Sequence, residues 1–139
     1  FRIAPHCQQY WGMDFSPAAL GYIQNVLARP EYHLPQVTLL QRTADNFEGI
    51  ETAFDTVAIN SVTQHFPSAD YLLQVLTKAV EVVKPGGSLF LGDVRSLPLL
   101  KAFHASVELY KSPGGRSLDQ LRQCIQQQTM QEEELVVDP

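Results

Sequence analysis

Apolar residues occur along the chain in two spacings, as short continuous runs and at positions three or four residues apart. The continuous runs predict strands, at residues 10–14, 37–41, 55–61 and 88–92. The spaced positions predict helices, which begin after Ser16, Ser68 and Ser117 and also cover residues 97–109. Alternating strands and helices are typical of an α/β fold with parallel strands, and the apolar strands favour a sheet covered on both faces.

Three connecting segments have their own signals. The sequence KPGG at residues 84–87 predicts a turn that ends the second helix. Residues 113–115, PGG, predict a mobile loop. Residues 135–137, LVV, predict either a last short strand or an extended exit.

The third predicted strand ends in an abrupt change from apolar to polar residues. Residues 57–59 are apolar, whereas Asn60, Ser61, Gln64 and His65 crowd hydrogen-bonding groups against the end of the strand. In an open parallel sheet, ligands bind outside the carboxyl ends of the strands. The polar cluster therefore predicts one side of a ligand crevice.

Polar side chains also follow the other predicted strands: Asp14 and Ser16 the first, Asp45 and Asn46 the second, and Asp93 and Arg95 the fourth. If the strands are parallel, all of these residues lie at one edge of the sheet. Each of these residues also has an ordinary structural explanation. The prediction of a ligand site therefore depends on their common position at one edge of the sheet.

Those explanations stay open at this point. Asp14 could hold the hydroxyls of a ribose or cap the following helix, and Asp45 could bind an amino group of a base or serve a turn. His65 could be a general base or a structural residue. Asp93 and Arg95 could form a surface ion pair.

Composition excludes several classes of function. The net charge is −5 and no basic stripe forms, so neither nucleic acid nor an anionic membrane is expected as a partner. No apolar run approaches the roughly 20 residues that span a bilayer. Cys7 and Cys124 lack metal-ligand spacing, which predicts no metal site and two reduced thiols in a cytoplasmic protein.

The order of these motifs resembles that of class I S-adenosylmethionine-dependent methyltransferases, which have a Rossmann-like three-layer α/β/α fold with a mostly parallel sheet. The motifs are YWGMDFS, LLQRTADNF, FDTVAINSVTQHFPS and KPGGSLFLGDVRS. Two longer segments, INSVTQHFPSADYLLQVL and FLGDVRSLPLLKAFHASVELYKS, resemble more closely the N-methyltransferase domains embedded in nonribosomal peptide synthetases.

The resemblance implies a set of cofactor-binding residues. They are Asp14, Phe15, Ser16, Ala44, Asp45, Asn46, Asn60, Ser61 and Val62. By this resemblance, Asp14 holds the ribose hydroxyls of S-adenosylmethionine and Asp45 accepts the exocyclic amine of adenine. The residues from Asn60 to Val62 lie beside the methionine part.

The resemblance also implies an acceptor side. Gln64, His65 and Phe66 face the methyl acceptor, while Asp93 and Arg95 lie on the substrate side of the next strand. Gln64 and His65 are the candidate catalytic residues, with His65 as proton acceptor or amine-orienting group. Because the methyl donor is already activated, much of the catalysis can come from proximity and orientation.

The chain departs from this family at both ends. The first strand and its glycine-rich loop are absent, residues 1–5 resemble the end of the helix that follows that loop, and the final antiparallel strands are missing. We therefore expect residues 1–139 to be a single partial domain of a larger multidomain protein. Alone, it should bind the cofactor weakly or not at all, be inactive, and associate as a homodimer.

The leading hypothesis is a synthetase domain that methylates an amine of a carrier-bound aminoacyl or peptidyl unit, with neighbouring synthetase domains as partners. Alternatives are a stand-alone small-molecule methyltransferase and a non-catalytic scaffold. A nicotinamide-dependent oxidoreductase also places an acidic residue after a strand, but the KPGG segment and Asn60-Ser61 argue against it.

Overall fold

The strands of the protein pair in parallel, which confirms the α/β class. In the computed structural model, residues 2–51, 53–112 and 114–138 are described, and the chain divides into two compact units, Phe1–Ile50 and Glu51–Pro139. Each unit contains one two-stranded parallel sheet. The loop predicted at residues 113–115 includes Pro113, which lies outside the described residues.

The first unit is a strand–helix–strand arrangement. Strand β1 (Tyr10–Asp14) pairs with β2 (Val37–Gln41) in register from its first residue to its last. Helix α1 (Pro17–Leu27) connects them. The Ser16 side chain accepts a hydrogen bond from the Ala19 N–H at 3.3 Å, so this helix begins where the Ser-Pro sequence predicts.

The second unit repeats this arrangement with a longer helix. Strand β3 (Phe54–Asn60) leads through a 3₁₀ turn (Thr63–His65) into helix α2 (Ala69–Glu81), and strand β4 (Val83–Gly92) pairs with β3. The Ser68 side chain caps α2 by accepting from the Tyr71 N–H at 3.2 Å. The helix therefore begins after Ser68, as the capping residue predicts.

The regularly spaced apolar residues of α2 are not all buried. Leu72, Val75 and Ala79 are buried, whereas Val80 is 59% exposed. Apolar residues three and four positions apart can form two neighbouring rows on the surface of a helix. In α2 the buried row is the one that contains Val75.

The KPGG segment is a bulge inside β4, so the prediction that it is a turn between helix and strand was wrong in position. Val83 pairs with Phe54 and Ser88 pairs with Thr56, so residues 84–87 have no partners in the ladder. Gly86 has a φ of +80°, and a Cβ on Gly87 would lie 2.8 Å from the Asp55 carbonyl oxygen. Both glycines are therefore needed for this backbone path.

The two faces of the β3–β4 sheet have different environments. Val57, Ile59 and Leu89 are half-buried, while Ala58 and Phe90 on the opposite face are exposed, Phe90 by 55%. Successive side chains point to opposite faces of a strand, so one face packs and the other is open. The expectation that both faces are covered does not hold for this sheet within the described residues.

The remaining helices follow β4. Helix α3 (Leu100–Lys111) begins later than residue 97, and the Leu97 N–H before it donates to the Val137 carbonyl at 2.9 Å. Val137 forms an isolated parallel bridge with Ser96, so residues 135–137 make only a minimal strand. Helix α4 (Leu118–Met130) packs against α3.

Replacing Ser117 with alanine is expected to lower the free energy of unfolding by about 1 kcal/mol. Ser117 and Gln120 form a capping box, in which the Ser117 hydroxyl accepts from the Gln120 N–H at 3.3 Å and the Gln120 side chain accepts from the Ser117 N–H at 3.0 Å. Urea unfolding followed by circular dichroism measures the change. The control is Gln123→Ala at an exposed position of α4, and an equal loss in both variants would argue against the cap.

Candidate functional site

The carboxyl end of β1 presents a carboxylate and an exposed aromatic ring. The Asp14 Oδ1 accepts a hydrogen bond from the Ser16 N–H at 2.7 Å, and the Phe15 side chain is 73% exposed. Among the described residues no partner is found for Asp14 Oδ2, so one oxygen serves the turn and the other is available to a ligand. The structural role of Asp14 and the ribose role implied by the resemblance are therefore compatible.

The segment after β2 folds into a turn beside β1. The Asn46 N–H donates to the Thr43 carbonyl at 3.0 Å, with Ala44 and Asp45 half-buried between them. The Asn46 Oδ1 accepts from the Glu48 N–H at 3.1 Å. The turn explanation is thus present in the structure, and the contact of Asp45 with adenine stays a prediction.

Within the first unit these two segments are neighbours. Asp14 and Gln41 are partners in the strand register, and the Arg42 N–H donates to the Asp14 carbonyl at 3.0 Å. The first unit therefore brings together the residues assigned to the adenosine part of the cofactor.

The carboxyl ends of β3 and β4 lie side by side in the second unit and share an unusual backbone conformation. Asn60 and Gly92 are partners in the register, and the residues that follow them, Ser61 and Asp93, both have a φ of 57°. They are the only non-glycine residues with positive φ in the described part of the chain. This conformation costs roughly 1–3 kcal/mol per residue and clusters at ligand sites.

A close approach of Asn60 to Gly92 fixes the end of the sheet. The Asn60 Nδ2 donates to the Ser61 Oγ at 2.9 Å, and the Ser61 N–H donates to the Gly92 carbonyl at 3.3 Å. A Cβ on residue 92 would overlap the Asn60 Oδ1 and approach the Phe90 ring to 2.6 Å. A side chain at residue 92 would therefore displace the Asn60 amide or the Phe90 ring. Val62, which follows this group, is 40% exposed.

The 3₁₀ turn after β3 separates the three residues that the resemblance assigns to the methyl acceptor. The side-chain Oε1 of Gln64 is buried without a hydrogen-bond partner. The backbone carbonyl of Gln64 accepts a hydrogen bond from the Leu135 N–H at 2.8 Å. The His65 side chain is exposed. The Phe66 ring is buried and packs edge-on against Tyr71, with ring centroids 5.0 Å apart.

A cavity of about 700 Å³ opens at the carboxyl end of β4. We call it the Gln64 pocket, and its walls include Gln64, Asp93, Val94, Leu99, Phe103 and Glu134. Gln64 and Asp93 thus share one cavity, together with the Arg95 side chain, whereas His65 and Phe66 are not among its lining residues.

Arg95 is the centre of a charged cluster that joins β4 to the segment after α4. Its Nη2 lies 3.2 Å from the Glu132 Oε2, its Nη1 pairs with the Glu134 Oε2, and its guanidinium lies 4.4 Å from the centre of the Phe103 ring. The His104 Nε2 lies 3.2 Å from the same Glu132 oxygen.

One of these contacts, that of the Arg95 Nη1 with the Glu134 Oε2, is a hydrogen bond, and the two contacts with Glu132 are not. Arg95 Nη2 and His104 Nε2 are buried and near Glu132, but neither is aligned to donate to it. Because Arg95 is committed to Glu132 and Glu134, the suggested surface ion pair with Asp93 was wrong. Sequence reasoning missed both glutamates, since Glu134 lies 39 residues from Arg95 and no local pattern relates them.

Neither a membrane-spanning helix nor a metal-binding group of side chains is found among the described residues. No helix among them is long and apolar enough to cross a bilayer. No three His, Cys, Asp or Glu side chains among them are grouped so as to hold a metal ion.

The chain is similar to known methyltransferases in sequence and in fold. Residues 1–89 match the family described as "Methyltransferase domain". The chain is 53% identical over 140 residues to chondramide synthase cmdD of Chondromyces crocatus, and 36% identical over 143 residues to the nonribosomal peptide synthetase agiA of Aspergillus flavus. These alignments cover 99% and 100% of the chain but only 4% and 2% of the relatives.

The fold has a counterpart among solved structures. The N-methyltransferase NodS of Bradyrhizobium japonicum WM9, in complex with S-adenosyl-L-homocysteine, superposes with a TM-score of 0.60 at 17% identity. The match covers 91% of this chain and 57% of NodS, and supports the class I methyltransferase fold. Since the family match extends over more than half of the chain, the protein belongs to the methyltransferase domain family, whose class I members take their methyl group from S-adenosylmethionine.

Proposed function

We propose that the chain is the S-adenosylmethionine-dependent methyltransferase domain of a nonribosomal peptide synthetase and that it methylates an amine of a carrier-bound aminoacyl or peptidyl unit. The observation that carries this proposal is the 53% identity to chondramide synthase across 99% of the chain. The similarity to agiA also extends over the whole chain. Both relatives are synthases of far greater length, which supports a domain that acts on the intermediates of such an assembly.

The residues at the two sheet ends fit the chemistry of the cofactor. In the first unit, the unengaged Asp14 Oδ2 can accept hydrogen bonds from ribose hydroxyls. In the second unit, Asn60 and Ser61 offer amide and hydroxyl groups for the aminoacyl part, and Gly92 lets the Asn60 side chain lie close to the end of β4. When bound, S-adenosylmethionine supplies an activated methyl group on a sulfonium.

The residues of the chain contribute mainly by holding groups in place. The Asn60–Ser61 hydrogen bond and the left-handed conformation at Ser61 give the end of β3 one defined shape. A preorganised site lowers the barrier because less orientational freedom is lost during the reaction. His65 is exposed next to this edge and stays the candidate for orienting the amine or taking its proton.

The test uses the whole natural polypeptide, a methyl-labelled cofactor and a carrier loaded with an aminoacyl unit. We expect label on the amine of the loaded unit, detected by mass spectrometry. Cofactor binding without transfer to any acceptor would favour the scaffold hypothesis. Transfer to free small molecules but not to the loaded carrier would favour a stand-alone type of methyltransferase.

Asp14→Asn tests the cofactor side separately. An amide keeps an oxygen for the Ser16 N–H but removes the charge, so we expect the dissociation constant for S-adenosylmethionine to rise by about 10- to 100-fold, the equivalent of a lost charge-assisted hydrogen bond. Calorimetry measures the change. Glu31→Gln, at an exposed position of the same unit, is the control, and equal affinities of the two variants would contradict the ribose role.

A further inference from the structure

Two of the residues that line the Gln64 pocket have oxygen acceptors without partners within the described residues. The Asp93 carboxylate is exposed and takes part in neither an ion pair nor a hydrogen bond there. The Gln64 Oε1 is buried and has no donor. A buried acceptor without a donor costs roughly 1–3 kcal/mol, so a ligand N–H that reaches it would remove that penalty.

The pocket has no cation that is free to bind an anionic ligand. Arg95 is the only cationic side chain among its described lining residues, and its guanidinium is already engaged by Glu132, Glu134 and the Phe103 ring. With Arg95 neutralised in this way, the unpaired Asp93 sets the sign of the local potential. The pocket therefore favours a cationic ligand and disfavours a free carboxylate or phosphate.

The rest of the wall is apolar and accessible. Val94, Leu99 and Phe103 line the cavity and are all exposed side chains. An apolar wall next to converging acceptors fits a ligand with a positive amine and an apolar substituent, because each part then meets its complement.

From these features we infer that the Gln64 pocket binds the methyl acceptor as an α-ammonium group that carries an apolar side chain. Asp93 pairs with the ammonium, Gln64 Oε1 accepts one of its N–H groups, and the side chain lies against Val94, Leu99 and Phe103. This inference rests on the proposed function and adds to it the recognition of the amine. Arg95 is a positioning residue, since its charge is directed to the glutamates.

The same geometry supplies a path for the proton that must leave before methylation. An ammonium has no lone pair, so one proton must pass from its nitrogen to water before methylation, which leaves a neutral amine. Because Asp93 is exposed, water has access to the nitrogen that is paired with it. The neutral amine has the lone pair that the transfer requires.

The test compares two probes on the whole natural polypeptide in the presence of S-adenosylhomocysteine, which prevents turnover. One probe is the thioester of leucine with N-acetylcysteamine, and the other is the same thioester with a hydroxyl in place of the α-amine. The measured quantity is the ratio of their dissociation constants. We expect the wild-type protein to prefer the amine, and Asp93→Asn to lose about 10-fold or more of that preference.

Asparagine is the suitable replacement because it tolerates positive φ nearly as well as aspartate, so the backbone at residue 93 is kept. Asp55→Asn is the matched control. Asp55 is an exposed carboxylate on β3, paired with Lys84 at 3.1 Å and absent from the pocket lining. We expect this control to leave the preference unchanged.

Gln64→Leu gives a second, independent readout. Its Oε1 makes no internal hydrogen bond, so its removal should not lower the melting temperature, while affinity for the amine probe should fall about 5- to 10-fold. If wild type methylates the amine and both variants keep the wild-type preference, the inference fails and the proposed function stands. If wild type neither binds the amine probe nor methylates a loaded carrier, both fail.

Discussion

Replacing Arg95 with methionine is expected to lower the free energy of unfolding by about 3 kcal/mol. The Arg95 and Glu132 side chains are only 19% and 11% exposed, so the substitution leaves a largely buried carboxylate without its main counter-charge. It also removes the contact between Glu134 and the guanidinium and uncovers one face of the Phe103 ring. Urea unfolding followed by circular dichroism measures the loss.

The matched control for this prediction is Arg122→Met. Arg122 is 78% exposed and lies 3.6 Å from Asp119 on the same helix, so its removal should change stability by less than about 0.5 kcal/mol. Arg95→Lys should fall between the two, because an ammonium cannot reach two carboxylates and stack on a ring as a guanidinium does. If Arg95→Met were no less stable than Arg122→Met, the cluster would have no structural role.

Replacing Gly92 with alanine is expected to destabilise the protein by about 1 kcal/mol, the lower end of the cost of overpacking because both obstructing side chains are exposed, and to weaken cofactor binding. The new methyl group would overlap the Asn60 Oδ1 and approach the Phe90 ring to 2.6 Å. Both side chains must then move, and Asn60 loses the position from which it donates to Ser61. Thermal unfolding measures the first effect, and calorimetry with S-adenosylmethionine on the whole natural polypeptide measures the second.

Gly21→Ala is the control, because it is the same substitution at a position where a Cβ would meet no neighbouring atom. Gly21 lies inside α1 with no atom within 4 Å of the position of a Cβ, so alanine should stabilise the helix by about 0.5–1 kcal/mol. Opposite signs for the two glycines would identify the contacts with Asn60 and Phe90 as the cause. If Gly92→Ala binds the cofactor with unchanged affinity, the position of Asn60 does not contribute to cofactor binding.

The starts of the helices could be predicted because their signals are local. Ser16, Ser68 and Ser117 each accept a backbone hydrogen bond within their own first turn, so a few consecutive residues carry the information. The parallel strands followed from the alternation of elements. The pairing of the segment before α3 with Val137 could not be predicted, because no local pattern relates Leu97 to a residue 40 positions away.

The candidate site could be predicted only in part, because several of its contacts join residues that are distant in the sequence. The sequence places Asn60 and Ser61 at a strand end, but their close packing on Gly92 depends on the register between two strands. Gln64, His65 and Phe66 are consecutive, yet the 3₁₀ turn directs one into a pocket wall, exposes the second and buries the third. The resemblance alone assigned all three to the same role.

Directed evolution of this pocket meets a constraint at Ser61 and Asp93, where only small or side-chain-bonding residues tolerate the left-handed backbone. Most replacements at these two positions would lower the stability by roughly 1–2 kcal/mol each. Val94, Leu99 and Phe103 have no such restriction, and they form the apolar wall. Variation confined to those three positions offers a route to new amino-acid preferences with the amine-binding groups left intact.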